Sequence, residues 1–301
     1  MQAMVLAAGL GTRLGPVSSH IPKPLFPVLN VPNLLRILVR LREAGCHKVI
    51  VNAFHLASQI QDAVAAWACG MPVTVLVERE LLGTGGGIRN ALSYFDPNEP
   101  ILLVNGDVVT DMDLGELVRR HLESGADATM ALHQRVPWNR VSVKGDRVTG
   151  FGTDLPNAVA YTGIAVLEPR IVAAIPPGPG SIIDAFTWAI QKGSGVAYYR
   201  IDQDHGHQTH RRYIWEDIGS PSGYLAAHEA ILSTAGNGLY AEPSADIPPD
   251  LVCRDWAVVG ARVSIGPGVT LEQTVIWDGC SIPAGTHLKR TVITPYGHLS
   301  A

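Results

Sequence analysis

A glycine turn near the amino terminus places two cationic side chains where they could bind one phosphate group. The run LAAGLGTRLG spans residues 6–15, and PKPLFPV follows at residues 22–28. Gly9 and Gly11 can adopt backbone angles closed to other residues, and without a Cβ they let an anion lie on main-chain N–H groups. Arg13 and Lys23 stand on the same segment and could neutralise the anion's charge. The pattern predicts a phosphate-binding loop.

Two other kinds of phosphate loop do not fit this segment. A dinucleotide-binding turn, as in a dehydrogenase, requires a helix that begins within the glycine run. Prolines lack an N–H and clash with a preceding carbonyl, so we expect an extended, irregular segment over residues 12–27, which holds Pro16, Pro22, Pro24 and Pro27. The stretch also lacks the G-x-x-x-x-G-K-[ST] pattern of a P-loop.

The two segments together resemble the signature of the sugar-1-phosphate nucleotidyltransferases, also called nucleotide-sugar pyrophosphorylases. In that family an oxygen of a sugar 1-phosphate attacks the α-phosphate of a nucleoside triphosphate, which releases pyrophosphate and leaves a nucleotide-sugar. The resemblance implies that Arg13 and Lys23 are catalytic and stabilise charge on the transferring phosphorus and on the leaving pyrophosphate. It also implies nucleotide contacts from Leu6, Ala7, Ala8, Gly9, Gly11 and Thr12.

Two acidic residues far apart in the sequence are implied as magnesium ligands by the same resemblance. Asp107 ends the run NGD at residues 105–107, and Asp217 lies in WEDIG at residues 215–219. Carboxylates together with phosphate oxygens suit Mg²⁺, which prefers hard oxygen ligands. Neighbouring side chains of an extended segment face opposite ways, so we expect Glu216 to point away from the metal.

Further segments are matched to the nucleotide base and to the sugar. LGTGGG at residues 82–87 precedes a predicted helix from Ile88 to Phe95, and glycines at a helix start let backbone N–H groups approach a ligand. The resemblance implies that Gly83, Thr84 and Gly85 hold the base. The residues implied to contact the sugar are Asn52, Asn105, Thr162 and Gly163. Asn52 could instead be a hydrogen-bonded turn residue.

One departure from the family pattern concerns the sugar phosphate. Many relatives carry F-x-E-K-P, whose lysine grips that phosphate, whereas residues 151–156 read FGTDLP. Arg140, Arg147 or another cation could take its place. The cluster at residues 205–210, HGHQTH, suggests a metal site, but polar residues around a glycine are more typical of an exposed loop.

The composition of the chain disfavours several classes of protein. The chain has 301 residues, a formal net charge of −4 and four scattered cysteines. These features disfavour nucleic-acid binding, structural disulfides and a zinc site. Neither a membrane span nor a signal peptide is indicated, so we expect a cytoplasmic protein.

The order of apolar runs predicts the architecture of the larger part of the chain. Strand-like and helix-like runs alternate from residue 1 to about 135, which predicts a Rossmann-like α/β/α domain with a mostly parallel sheet covered on both faces. We place this domain at residues 1–232 and a linker at residues 233–250. Ligands of such sheets bind at the carboxyl ends of the strands.

The tail, residues 251–301, has a different period. Val259, Ile265, Leu271 and Trp277 recur every six residues, with small residues at the corners between them. A hexapeptide repeat of this kind predicts a short left-handed parallel β-helix. Stacked repeats need neighbours to bury their faces, so we expect this cap to pack on the main domain or on a second copy of the chain in a homo-oligomer.

The sequence therefore predicts a Mg²⁺-dependent enzyme that joins a nucleoside triphosphate to a sugar 1-phosphate. Its internal motifs look most like those of N-acetylmuramate-1-phosphate uridylyltransferases, which favours UTP slightly. The opening motif and the short tail are equally similar to mannose-1-phosphate or heptose-1-phosphate guanylyltransferases. The alternative is a catalytically silent relative that binds nucleotide-sugars and regulates a partner.

Overall fold

The structure is a computed structural model that describes residues 1–153, 155–203, 213–236 and 238–301. They form two compact units, of which the first comprises residues 1–9 and 37–213 and the second residues 10–36 and 214–301. Most of the predicted phosphate-binding loop therefore groups with the C-terminal part of the chain. This division differs from the boundary at residue 232 that the sequence suggests, because residues 10–36 and 214–232 both group with the C-terminal part of the chain.

The elements are numbered in chain order. The strands are β1 (Gln2–Leu6), β2 (Pro27–Val28), β3 (Val31–Pro32), β4 (Lys48–Ala53), β5 (Val73–Val77), β6 (Ile101–Asn105), β7 (Val108–Thr110), β8 (Ala128–His133), β9 (Asn139–Lys144), β10 (Arg147–Phe151), β11 (Val159–Leu167), β12 (Val196–Arg200), β13 (Trp215–Asp217), β14 (Leu239–Ala241), β15 (Val252–Val259), β16 (Ser264–Ile265), β17 (Thr270–Ile276), β18 (Ser281–Ile282), β19 (His287–Thr294) and β20 (Gly297–Ser300). The α-helices are α1 (Asn33–Glu43), α2 (Ala57–Ala66), α3 (Gly83–Ala91), α4 (Leu114–Ser124), α5 (Pro169–Ala173), α6 (Ile182–Lys192) and α7 (Pro221–Ala235).

The first unit contains a nine-stranded sheet in the order β5-β4-β1-β6-β11-β8-β12-β10-β9. Neighbours among β5, β4, β1 and β6 pair in parallel, whereas β11 is antiparallel to both β6 and β8. The predicted α/β class is confirmed, and the prediction of a mostly parallel sheet agrees with the strand directions, since seven of the nine described strands run the same way. The long apolar strand β11 enters the middle of the sheet against the direction of its neighbours, and β10 is antiparallel to both β12 and β9.

Helices pack on both faces of this sheet. Met4, Leu103 and Met130 belong to one buried cluster together with apolar residues of α3, α5 and α6. On α4, His121 places its Nδ1 3.0 Å from Oγ1 of Thr129. Thr129 precedes Met130 on β8 and so points to the opposite face, because successive strand residues alternate.

The carboxyl ends of three parallel strands meet at one edge of the sheet. Leu6, the last residue of β1, is the Cα partner of Asn52 on β4 and of Asn105 on β6. The loops that follow these strands therefore begin side by side, at the edge where ligands bind in such sheets.

The second unit is built largely from parallel C-terminal strands. Val252, Thr270 and His287 are successive Cα partners on β15, β17 and β19, and β16 pairs in parallel with β18. Each partner lies about three of the predicted six-residue repeats further along the chain. The last strand, β20, is antiparallel to β19 and forms a terminal hairpin with it.

The proline-rich segment of the second unit forms short 3₁₀ turns at Thr12–Ser19 and Lys23–Leu25. The prediction that no α-helix forms over residues 12–27 agrees with this, but the expected extended course is wrong. A 3₁₀ turn needs only a few bonds between residues three apart, and these avoid the prolines. Leu14 N donates to Gly11 O, and Phe26 N donates to Lys23 O.

In the part of the chain that the structure describes, no helix has both the length and the apolar character needed to cross a bilayer.

Candidate active site

The predicted phosphate-binding segment of the second unit, here called the signature loop (residues 10–28), folds back on itself. Gly11 has φ 67°, a conformation that favours glycine. A Cβ built at Gly11 would lie 3.5 Å from Cβ of Lys23 and 3.3 Å from Cβ of Ser18. The absence of a side chain at Gly11 therefore lets Lys23 lie beside the start of the loop.

Arg13 and Asp217, both predicted site residues, come together in the second unit. Nη2 of Arg13 lies 3.7 Å from Oδ2 of Asp217, and the two side chains are 55% and 36% exposed. Asp217 ends β13, and its Oδ1 accepts a 2.6 Å hydrogen bond from Gly219 N. Helix α7 follows at once, with Ser220 as its N-cap accepting from Gly223 N. The carboxylate is thus fixed by the strand-to-helix turn that follows it.

Gly219 leaves room for this ion pair. A Cβ at this position would lie 2.5 Å from Nη2 of Arg13 and 2.7 Å from Oδ1 of Asp217. Real Cβ atoms do not approach other atoms so closely, and any side chain would displace the two charged groups. The ion pair therefore requires a residue without a side chain at the last position of the WEDIG run.

In the first unit, a chain of hydrogen bonds links the end of β1 to the start of α3. Ala7 N donates to Oδ1 of Asn52 at 2.8 Å, and Nδ2 of Asn52 donates to Oε1 of Glu78 at 2.6 Å. Oε2 of Glu78 accepts from Leu82 N at 3.2 Å. Asn52 is 1% exposed and Glu78 4% exposed. Both ends of the Asn52 amide are engaged within the protein, which favours the hydrogen-bonded role over direct sugar contact; the sugar contact stays a prediction.

Glu78 is not among the site residues predicted from the sequence. A signal was available, because Glu78 directly follows strand β5, whose register with β4 pairs Val77 with Ala53. A polar residue directly after a strand of a parallel sheet lies at the carboxyl edge, where ligands bind. The general rule for such sheets therefore points to Glu78 as well as to Asn52.

The glycine run at residues 82–87 lies within a helix rather than before one. Helix α3 begins at Gly83, so the predicted start at Ile88 is wrong. Gly85 N donates to Gly180 O at 2.9 Å, and a Cβ at Gly85 would lie 2.5 Å from Ser181 O. Thr84 accepts from Ile182 N through Oγ1 at 2.9 Å.

This packing explains why glycines occupy this face of α3. The helix contacts the backbone of residues 178–182 so closely that side chains on this face would collide with it. A contact between two segments so distant in the sequence cannot be recognised from a local pattern. The predicted contacts of Gly83, Thr84 and Gly85 with a nucleotide base stay predictions.

Three of the residues predicted to contact the sugar lie on the neighbouring strands β6 and β11. Gly163 has φ 79°, and a Cβ there would lie 2.6 Å from Nδ2 of Asn105. The Asn105 amide therefore lies directly over the bare backbone of Gly163. Thr162 is fully buried and donates through Oγ1 to Ala131 O at 2.8 Å. Its hydroxyl is thus directed at strand β8.

The remaining predicted contacts divide between the two units. Gly106 N donates to Leu6 O at 2.8 Å, which ties the turn carrying Asp107 to the end of β1. The predicted nucleotide contacts in the first unit are Leu6, Ala7, Ala8 and Gly9, and those in the second are Gly11 and Thr12.

The chemistry of the two acidic residues fits magnesium. Asp107 and Asp217 are both half-buried, and their carboxylate oxygens are ligands that Mg²⁺ prefers. Across the described residues, no group of three or more His, Cys, Asp or Glu side chains could by itself hold a metal ion. Asp107 lies in the first unit and Asp217 in the second, and the assignment of a magnesium ion to these two carboxylates stays a prediction.

The two arginines proposed for the sugar phosphate differ in their surroundings. Arg147 Nη1 lies 3.1 Å from Oδ2 of Asp146, and its Nη2 donates to Ser124 O. Arg140 is exposed. Asp154 in the FGTDLP run and the whole cluster at residues 205–210 lie outside the described residues, so the hypotheses on both segments stay as the sequence left them.

Comparison with known proteins shows which family the chain resembles. Residues 2–145 match the family model described as nucleotidyl transferase. The chain is 29% identical over 311 residues to mannose-1-phosphate guanylyltransferase of Mycobacterium tuberculosis, covering 96% of this chain and 83% of that protein. It is 27% identical over 337 residues to UTP–glucose-1-phosphate uridylyltransferase of Synechocystis, covering 99% of this chain and 84% of that protein.

A solved structure gives a similar fold. The crystal structure of HddC from Yersinia pseudotuberculosis complexed with GMP-PN has a TM-score of 0.61 and 25% identity, covering 76% of this chain and 99% of that chain. The α/β fold and these matches define an enzyme that transfers nucleotidyl groups. Residues 2–145 of the chain are thus similar to the nucleotidyl transferase family, and the two relatives named above are by name sugar-1-phosphate nucleotidyltransferases.

Proposed function

We propose that this protein joins a nucleoside triphosphate to a hexose 1-phosphate in a Mg²⁺-dependent reaction. A phosphate oxygen of the sugar 1-phosphate attacks the α-phosphorus, the bond from that phosphorus to the bridging oxygen breaks, and pyrophosphate leaves with the bonding electron pair. The observation that carries the proposal is the pairing of Arg13, on the signature loop, with Asp217 at 3.7 Å. This ion pair supports a catalytic role for Arg13 and a metal-binding role for Asp217, because it brings the cation and the carboxylate together.

Charge stabilisation is the main task of this chain's own residues. Phosphoryl transfer requires positioning and neutralisation of negative charge more than covalent participation by the protein. Arg13 and Lys23 would neutralise the transferring phosphoryl group and the leaving pyrophosphate. Asp217 would orient the Arg13 guanidinium between turnovers. Asp107 and Asp217 would hold the Mg²⁺ ion, which when bound supplies further positive charge to the phosphates.

For the base we propose GTP, with UTP as the alternative. The internal motifs favour UTP slightly, whereas the relative from M. tuberculosis is by name a guanylyltransferase and aligns with 96% of the chain. HddC, in the structure named above, was crystallised with GMP-PN. The relative from Synechocystis is by name a uridylyltransferase, so UTP keeps support. Mannose 1-phosphate and glucose 1-phosphate, from the names of these two relatives, are the first acceptors to test.

The test is a pyrophosphate-release assay with GTP, UTP, CTP and dTTP against a panel of hexose and heptose 1-phosphates, with and without Mg²⁺. We expect release with GTP and a hexose 1-phosphate, and identification of the nucleotide-sugar by mass spectrometry. Turnover with UTP alone would overturn the choice of GTP but would still support nucleotidyl transfer to a sugar 1-phosphate. If no pairing releases pyrophosphate while nucleotide-sugars still bind, the protein is the silent regulatory relative.

We further propose that the C-terminal strands form a short left-handed β-helix and that the protein acts in the cytoplasm. The parallel register of β15, β17 and β19 supports stacked coils. A homo-oligomer through these strands stays a prediction, which light scattering of the full-length chain would test.

A further inference from the structure

The signature loop is attached to the C-terminal strands at several points. Its first point of attachment is the terminal hairpin, β19 and β20. The ring of His20 stacks on the ring of Tyr296 with a centroid distance of 4.8 Å and an interplanar angle of 9°. A Cβ at Gly15 would lie 3.9 Å from Cδ2 of Leu299, which is 5% exposed. The segment directly after Arg13 therefore rests on this hairpin.

A second point of attachment lies just after Lys23. Phe26 is fully buried, and its ring packs edge-on against Trp277 at a centroid distance of 4.9 Å. Trp277 donates through Nε1 to the hydroxyl of Tyr224 at 3.0 Å, and that hydroxyl donates to Pro27 O. The backbone that follows Lys23 is thus held by residues of both α7 and the C-terminal strands.

These contacts explain why residues 10–36 group with residues 214–301 rather than with the larger sheet. The backbone hydrogen bonds within the loop join residues only three or four apart, so the placement of the loop as a whole depends on what it packs against. Arg13 is 55% exposed and its Asp217 partner is 3.7 Å away, so that pair alone contributes little to holding the loop.

We propose that Tyr296 and Leu299 of the terminal hairpin are positioning residues for Arg13, so that the last residues of the chain set the rate of the chemical step. This inference rests on the proposed nucleotidyl transfer for its kinetic consequence, but the contact between hairpin and loop can be tested without turnover. A charge-stabilising group displaced by about 1 Å can cost about 100-fold in rate.

The kinetic test compares Tyr296→Ala, Leu299→Ala and the double variant with wild-type protein. We expect kcat for pyrophosphate release to fall about tenfold or more in the double variant, with a smaller change in KM for the triphosphate, because the lost positioning acts on the transition state. Tyr296→Phe keeps the stacked ring and should retain the wild-type kcat. His298→Ala is the matched control, since His298 is an exposed neighbour on the same strand and faces away from Leu299.

The structural test uses the trypsin site at the Arg13–Leu14 bond. In the folded wild-type chain we expect slow cleavage there, and in the double variant a rate about tenfold higher, because local opening of the loop governs access. Mass spectrometry would identify the fragment that begins at Leu14. A thermal unfolding curve for each variant shows whether the rest of the chain stays folded at the assay temperature.

The outcomes separate the two proposals. Selective cleavage at Arg13 together with a lower kcat supports the positioning role. Wild-type kcat and wild-type cleavage in the double variant would overturn it, and so would a loss of kcat accompanied by cleavage throughout an unfolded chain. A wild-type protein that releases no pyrophosphate would overturn the proposed function, while the cleavage rates would still decide whether the hairpin holds the loop.

Discussion

The guanidinium of Arg13 lies 3.7 Å from the carboxylate of Asp217, although the two residues belong to different segments of the second unit's sequence. Gly219 permits this arrangement, since a Cβ there would overlap both charged groups. The loop cation and the carboxylate therefore behave as one group whose geometry depends on a third residue without a side chain. That dependence gives a sharp test.

Gly219→Ala should reduce turnover while the fold persists. The added methyl group meets the flexible end of Arg13 and the carboxylate of Asp217 rather than a β-sheet backbone, so these side chains can move aside. We expect pyrophosphate release to fall about 100-fold, as for other lost charge-stabilising contacts. The control is Gly150→Ala, because nothing lies within 4 Å of a Cβ at Gly150. Equal rates for the two variants would show that the Arg13–Asp217 geometry is irrelevant to turnover.

Lys23→Ala should lower kcat by about 100-fold or more, since removal of a group that stabilises developing charge costs roughly 3 kcal/mol. The fold should persist, because Lys23 is only half-buried at the start of a short 3₁₀ turn. The exposed Lys192 at the end of α6 supplies the control substitution, Lys192→Ala, which removes a positive charge elsewhere. An unchanged kcat in Lys23→Ala would remove this lysine from the active site.

Asp107→Asn and Asp217→Asn should each raise the Mg²⁺ concentration needed for half-maximal rate, by about tenfold, because an amide is a weaker ligand for Mg²⁺ than a carboxylate. Chelation with EDTA should stop the wild-type reaction, and added Mg²⁺ should restore it. Asp62→Asn, at an exposed position of α2, is the control. A magnesium dependence that neither variant alters would contradict the assignment of these carboxylates.

Glu78→Ala should weaken both the fold and triphosphate binding. The substitution leaves the buried Nδ2 of Asn52 and the N–H of Leu82 without their acceptor, which costs about 1–3 kcal/mol for each group. Glu78→Gln should be milder, because one amide oxygen can still accept while the NH₂ group meets a second donor. We expect the melting temperature to fall, and the KM for the triphosphate to rise, in the order wild type, Glu78→Gln, Glu78→Ala. Glu80→Ala, two residues on and exposed, should match wild type.

Much of the first unit could be predicted from local pattern. The strand that ends at Leu6 and the strand Val159–Leu167 follow from their apolar runs, which need no knowledge of the rest of the chain. The direction in which Val159–Leu167 enters the sheet could not be predicted, because it depends on pairing with strands far away in sequence. The start of α3 at Gly83 was missed for the same reason, since its glycines fit against residues 178–182.

The predicted site residues show the same limit. The family resemblance identified Arg13 and Asp217, and the structure brings them together. Local pattern could not show that the loop carrying Arg13 packs on Trp277 and Tyr296, since these contacts join the two ends of the chain. Nor could local pattern show that the side-chain amide of Asn52 donates a hydrogen bond to Glu78. In each case the missing information was a tertiary contact rather than a propensity.

The stability of the second unit should fall in mild acid because of His228. Its side chain is fully buried, stacks on Trp256 and donates through Nδ1 to Tyr224 O at 2.9 Å. Burial lowers the pKa of His228 to about 4 from its ordinary value of 6.5. The unfolded chain therefore binds a proton at a higher pH than the folded chain does. The contribution of neutral His228 to the free energy of unfolding is fully present above about pH 6.5. It is lost as pH falls toward 4, at about 1.4 kcal/mol per pH unit.

Denaturant unfolding at a series of pH values, followed by the fluorescence of the tryptophans, would measure this loss. His228→Asn keeps a donor near the Nδ1 position and does not titrate, so its free energy of unfolding should depend less steeply on pH between 6.5 and 4 than that of wild type. His133 also has a pKa lowered to about 4 by burial, so His133→Asn tests whether the effect is specific to the second unit. If His228→Asn and wild type lose stability in parallel over this range, protonation of His228 does not contribute to acid unfolding.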